Sequence, residues 1–250
     1  MEAMGIDSKA KGLCMKKNEI DEIEKIQLKG NMNIIDYSKN MQMYRKQVEL
    51  CGKENYVLDI GCHDGTITQK IAKKGNKVEG LELDKKKAAI ARKKGFKVYI
   101  GKVQKIPAES NKYDVVHMSE VIEHFLETEK ALKEIHRVLK PNGRLIITTP
   151  NTTSFRDRVL VLFGKLPAYV SHEEHVKFFN VNRLKNYLKK SNFNFEKAYG
   201  SGFVIPIPVI ARKYFYFLDS VLPASFMERL IVTAKAIKKG EIKKLKGSHG

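Results

Sequence analysis

Between residues 56 and 150, short apolar runs alternate with longer stretches whose apolar residues recur at helical spacing. The runs at 56–60, 78–83, 97–100, 113–118 and 143–149 predict strands. Thr66 to Ala72 predicts a short helix, and Ala131, Leu132, Ile135, Val138 and Leu139 fall on one face of a longer one that Pro141-Asn142-Gly143 should end. Such alternation predicts an α/β fold with a parallel sheet covered by helices on both faces. No repeat with a period of about 20 to 50 residues is visible.

After Pro150 the pattern reads as loop and helix to about 190, then as a sixth strand, FNFEKAYG (193–200), and a seventh, RLIVTAKAI (229–237). Between them, 202–226 is an insertion rich in aromatics and prolines. Phe203, Tyr214, Phe215, Tyr216, Phe217 and Phe226, beside Arg212 and Lys213, could line an apolar acceptor pocket, dock on a membrane, stack unpaired bases, or cover the sheet edge as core. Residues 1–30 mix Lys and Glu with little apolar periodicity and read as an arm or loose helix. Met41, Tyr44, Val48 and Leu50-Cys51 predict a helix within 31–52, taken as a lid beside the ligand site. The expected division is an accessory segment, 1–52, and one domain, 53–250.

The junction VLDIGCHDG (57–65) is the most informative stretch. Gly61 and Gly65 permit positive φ and close approach by a ligand, and the following helix start presents unpaired N–H groups. His63 and Thr66 stand where a dinucleotide fingerprint needs its second and third glycines, which disfavours hydride transfer. About 20 residues on, Glu82 closes the second strand, where such folds place an acid for ribose hydroxyls. Cys62 reads as a small residue in the cradle.

Four segments in register now resemble the class I S-adenosylmethionine-dependent methyltransferases: VLDIGCHDG, VEGLELD (78–84), YDVVHMSEVIEHF (113–125) and VLKPNGRLIITTPN (138–151). The resemblance implies a Rossmann-like seven-stranded sheet, order 3-2-1-4-5-7-6, with the last strand antiparallel. It implies S-adenosyl-L-methionine as cofactor, with Asp59 orienting the methionine amino group, Gly61, Cys62 and Gly65 admitting the cofactor, and Glu82, beside Leu83, taking the ribose. Met118 would lie near the methionine and adenosine portions. Many relatives have Gly-Asp where this chain has Gly101-Lys102, so adenine contacts fall to main-chain groups around Lys102, Val103 and Gln104. Asp59 also has a reading as a cap of its own turn, and His63 as a projection into solvent.

Glu120, Glu123 and His124 follow the fourth strand, at the strand end where open α/β sheets bind ligands, and could supply a general base. With His175 they could instead hold a divalent ion as a Glu2His2 set, as in the small-RNA 3′-end methyltransferases and certain quinone-biosynthesis O-methyltransferases that this chain resembles there. His124 could also bond within its own loop, and His172 reads as a surface residue. The expected activity is methyl transfer to O or N of a small, lipid-linked or glycan-associated acceptor. Metal-assisted RNA methylation and cofactor binding without turnover are the alternatives.

The net charge of +19 comes from 47 basic residues, nine of them arginine, against 28 acidic ones. Lysines spread along the chain leave both a nucleic-acid partner and an anionic membrane surface open, and no obligate protein partner is evident. Cys14, Cys51 and Cys62 follow neither disulfide nor metal-finger spacing. With no apolar leader and no run near the roughly 20 residues that span a bilayer, the expectation is a cytoplasmic protein, with peripheral membrane contact still open.

Overall fold

The computed structural model describes residues 41–204, 218–219 and 221–238. The expected N-terminal arm lies outside these residues, as does most of the 202–226 insertion, including Arg212, Lys213, Tyr214, Phe215, Tyr216 and Phe217.

Seven strands form one sheet: β1 (Tyr56–Ile60), β2 (Lys77–Glu82), β3 (Lys97–Ile100), β4 (Tyr113–Ser119), β5 (Leu139–Pro150), β6 (Phe193–Ser201) and β7 (Arg229–Ala236). Their order is 3-2-1-4-5-7-6, with β7 antiparallel to both β5 and β6. Among the described residues six α-helices accompany them: α1 (Met41–Leu50), α2 (Thr66–Ala72), α3 (Lys85–Lys93), α4 (Thr128–Val138), α5 (Phe155–Leu162) and α6 (Val181–Lys190).

Strand periodicity sorts side chains onto two faces. Leu58, Ile60, Val116, Met118, Leu145 and Ile147 pack under α4 and α6, against Leu132, Ile135, Leu184 and Leu188. Val57, Val115, Ile146 and Ile231 turn the other way, against Ile67 and Ile71 of α2 and against Met43, Tyr44 and Val48 of α1. Helix α1 is therefore built into the second core layer. The sequence-based expectation of a lid is corrected here, because its apolar stripe is consumed by the sheet face.

Two local details differ from expectation. Pro141-Asn142-Gly143 does follow a helix that ends at Val138, but it lies within β5 as an irregularity, with Asn142 at φ 59° and the β4 register shifting between Tyr113 and Val115. Asp64 accepts from the N–H and hydroxyl of Thr66 at 3.1 and 2.7 Å, so the start of α2 is already supplied with a carboxylate. Burial works against that charge, yet bonds from Thr66 and Lys94 hold Asp64 at about 2.

Glu79 of β2 is buried among donors: Lys112 Nζ at 2.7 Å, Tyr113 Oη at 2.6 Å and Tyr99 Oη at 3.1 Å. Burial alone would raise its pKa, but these bonds bring it down from 4.5 to about 2. A carboxyl depressed on folding stabilises above its unfolded pKa and loses that contribution as pH falls through the folded value. Chemical denaturation at successive pH values should therefore show stability falling from about pH 4.5 toward pH 2, with a shallower fall in Glu79→Gln.

Candidate active site

A cavity of about 210 Å³ opens between the tips of β1 and β2 and the loops that follow β3 and β4. Gly61, Glu82, Leu83, Val103, Val121 and His124 are among the residues lining it. Parallel strands end here together, so main-chain groups freed from the ladder converge on one rim.

Glu82 organises that rim. Its Oε2 accepts from the His63 N–H at 2.8 Å, and its Oε1 accepts from Leu83 and Asp84 N–H at 2.9 and 3.0 Å. The Gly61 N–H also reaches across, donating to the Leu81 carbonyl at 2.8 Å. His63 sits at φ 52°, a left-handed conformation that aims its N–H at the carboxylate. The expectation that this residue merely projects into solvent is thus corrected: its main chain ties two strand tips together, and its Nε2 is buried. At Gly61, φ is +69° and an added Cβ would stand 2.5 Å from Val121 Cγ2, so only glycine lets the loop after β4 close over the turn.

Four residues expected at the cofactor take other positions. Cys62 packs beneath the turn with Ala88, Ala91 and Val98, its Sγ occupying the room left by Gly80. Burial pushes its thiol up. Gly65, at φ +80°, leaves 3.0 Å for Ala91 Cβ and so serves the packing of α2 on α3. Met118 is fully buried below the cavity, because β4 continues one residue further to Ser119 and strand parity turns Met118 toward Leu58 and Ile60. Asp59 has the opposite parity and faces α1 and α2. Its oxygens meet His117 Nδ1 at 2.8 Å and Thr68 Oγ1 at 2.6 Å, and Gln47 Oε1 lies 2.7 Å from His117 Nε2. All four side chains are buried, so Asp59 braces the turn from below. Gln47 lies in no motif, and His117, although inside the segment 113–125, carried no expected role; the shared parity of Asp59 in β1 and His117 in β4 is the signal that could have paired them.

The second half of the site begins with the loop after β4. Glu120, at φ 52°, turns toward β7, where its Oε2 lies 3.1 Å from Arg229 Nε. Glu123, His124 and His175 instead come together, each with a ligand-capable atom within 4.8 Å of the others. The expected Glu2His2 set is corrected to Glu123, His124 and His175, since Glu120 is claimed by Arg229. His172 sits half exposed beside His175, with ring centroids 5.0 Å apart.

The electrostatics of this corner follow from burial. Glu123 is raised well above the usual carboxylate range by desolvation first and by Glu120 second. Its Oε2 accepts from Thr149 Oγ1 at 3.1 Å, while Oε1 is buried without a hydrogen-bond partner among the described residues. His124 and His175 are both lowered, chiefly by burial. The Nδ1 of each faces a main-chain carbonyl, Glu174 at 2.9 Å and Tyr169 at 3.2 Å. A carbonyl only accepts, so Nδ1 carries the proton and the neutral rings hold their lone pairs on Nε2.

Comparison with known proteins agrees with this architecture. A methyltransferase-domain family matches residues 35–198. The chain belongs to that family, the class I S-adenosylmethionine-dependent methyltransferases. It is 28% identical over 163 residues to a ubiquinone biosynthesis O-methyltransferase of Pelagibacter ubique, covering 60% of this chain and 65% of that protein. It is 36% identical over 109 residues to a demethylmenaquinone methyltransferase of Chlorobaculum parvum, covering 42% and 45%. The chain thus spans less than two thirds of the length of these curated relatives. Among solved structures, an S-adenosylmethionine-dependent methyltransferase of Thermotoga maritima shares the fold at TM-score 0.57 and 21% identity, covering 87% of this chain and 94% of that one.

S-adenosylmethionine is the cofactor of this family, and the rim fits it: an acid at the tip of β2, a glycine at the tip of β1, and apolar Leu83 and Val103 beside them. Glu82→Ala should weaken S-adenosylhomocysteine binding by roughly tenfold or more, the loss expected for charge-assisted hydrogen bonds. Isothermal titration calorimetry checks this, with circular dichroism confirming that the variant stays folded.

Proposed function

We propose that the protein transfers a methyl group from S-adenosylmethionine to an oxygen, or a nitrogen, of a small acceptor held at the Glu123–His124–His175 corner. One observation carries the reading: His124 lines the strand-tip cavity and also belongs to the cluster with Glu123 and His175, so one side chain joins the cofactor space to a group able to take a proton. Relatives named for O-methylation and menaquinone methylation in quinone biosynthesis support a hydroxylated, apolar acceptor.

When bound, the cofactor supplies an activated methyl group that an in-line displacement passes to the acceptor. The chain's part is alignment, which in well-oriented systems lowers barriers by roughly 7–11 kcal/mol. Glu82 would take the ribose hydroxyls, Leu83 and Val103 would flank the nucleoside, and His124 Nε2 would receive the acceptor's proton as the new bond forms. Its lowered pKa keeps the ring in the neutral form, the one able to accept a proton, into mildly acidic solution.

A second reading has its own support. The partnerless buried oxygen of Glu123, beside two imidazoles whose Nδ1–H groups are fixed by carbonyls, is the donor arrangement of a divalent cation site. Such an ion would hold an acceptor hydroxyl and make it easier to deprotonate. Because Glu123 must lose its proton to ligate, metal affinity would climb as pH rises through its elevated pKa.

The test uses radiolabelled cofactor with phenolic and catecholic acceptors, with and without chelator. His124→Asn should lower kcat by about 10²–10⁴-fold while cofactor affinity changes far less. The acid limb of the wild-type pH–rate profile should lie below the ordinary histidine value of 6.5. Loss of activity on chelation, restored by added divalent ion, selects the second reading. Cofactor binding with no label transferred would leave a binding module without turnover.

A further inference from the structure

Exposed apolar side chains are unevenly distributed. Of the eight large hydrophobic residues exposed among the described ones, four lie at the end of α5, Val161, Leu162, Phe163 and Leu166, and a fifth, Val221, stands two residues before the segment Pro223–Ser225, which lines one groove with Val161 and Leu162. Leu162, Phe163, Leu166 and Val221 are 83%, 76%, 69% and 74% exposed, whereas a lone surface hydrophobe is unremarkable and a contiguous group marks an interaction site. The Arg158 guanidinium donates to the Ser225 carbonyl at 3.3 Å, and Phe155 stacks on Phe226.

This tip is closed by its own hydrogen bonds. Gly164, at φ +67°, donates to the Val161 carbonyl at 2.9 Å, and Lys165 donates to the Leu160 carbonyl at 2.9 Å. That is the paired closure of a left-handed helix end, in which apolar residues ordinarily turn back onto the helix. Here Leu162, Phe163 and Leu166 face outward instead. Carbonyls satisfied internally reduce the cost of taking such a tip into a medium poor in water.

The end of the helix and the loop after it are positively charged. From Arg158 to Ser171 the chain reads RVLVLFGKLPAYVS, with two cations and no acid. Lys185 of α6 and Lys197 of β6 line the adjoining open groove of about 1040 Å³. Of the acids on that groove, Asp157 is buried, and Glu196 is paired with Lys235 at 3.1 Å and Arg144 at 3.6 Å.

We propose that this face is a peripheral docking surface for an anionic lipid bilayer, with the Leu162–Phe163–Leu166 tip entering the headgroup region and Arg158, Lys165 and Lys185 contacting anionic headgroups. A second copy of the chain fits less well, since an isologous contact would set Arg158 and Lys165 against their own kind. Nucleic acid fits less well too, because Phe163 is a single ring beside aliphatic Leu162, Leu166 and Val221, whereas single-strand binding stacks successive bases on several rings. The proposal does not depend on turnover.

The test is co-sedimentation of the whole chain with vesicles of phosphatidylcholine alone and of phosphatidylcholine containing about one third phosphatidylglycerol. Wild type should partition onto the anionic vesicles at least about tenfold more strongly, and salt should weaken that binding without abolishing it. Leu162→Ser with Phe163→Ser should lower binding to anionic vesicles by about tenfold or more. Lys165→Glu should lower it there and leave the weak binding to neutral vesicles unchanged. S-adenosylhomocysteine affinity, measured on each variant, should match wild type and so report intact folding separately. Equal binding of wild type and the double variant overturns the proposal, as does binding that salt removes completely. A dimer in light scattering that the double variant converts to monomer overturns it in favour of self-association.

Discussion

The hydrogen bond from the His63 N–H to the Glu82 carboxylate, 2.8 Å long, is the constraint around which the rest is arranged. Two parallel strands diverge once their ladder ends, and a carboxylate that also accepts from Leu83 and Asp84 keeps these two tips at a set spacing. Three main-chain donors on one acid form a charge-assisted network, stronger than the same number of neutral bonds. The left-handed backbone at His63 belongs to the same constraint, because it turns the N–H back toward the tip of β2. Glu82 therefore presents an already oriented carboxylate to a ligand.

Beneath the turn the same logic continues without solvent. Asp59, His117, Gln47 and Thr68 form a buried polar chain from α1 through two strands to α2. A carboxylate in an apolar layer is tolerated only when its oxygens are satisfied, and removing one partner of such a pair typically costs about 3–5 kcal/mol. Helix α1 thereby contributes a polar anchor as well as Met43, Tyr44 and Val48 to the layer that carries the cofactor turn. A segment that looks accessory in the chain is part of the foundation.

At the far side of the cavity two glutamates three residues apart have separate fates. Glu120 leaves the strand in a left-handed conformation and meets Arg229, whereas Glu123 is drawn into a dry corner where its charge is disfavoured. An acid paired with a cation and an acid buried away from one, three residues apart, give one loop both a charge pair and a group able to exchange protons or hold a cation. The two imidazoles, held neutral by burial and oriented by carbonyls, complete that chemistry.

The seven strands were legible from the amino-acid order, to the residue in β1 and β3, because β-prone runs bounded by turns mark them even where, as in β3 at the sheet edge, the end residues are exposed. The sheet order followed from resemblance alone, since composition carries no information about which strands are neighbours. Glu82, Gly61, Leu83 and Val103 could be placed at the rim because each adjoins a strand tip, which local sequence marks. Cys62, Gly65, Met118 and Asp59 adjoin the same tips yet face away from the cavity, and Glu120 left its expected set for Arg229, 109 positions along the chain. Strand ends are set by local chemistry. Which side chain faces the ligand is set by pleat parity, register and distant partners, and those exist only once the sheet has formed.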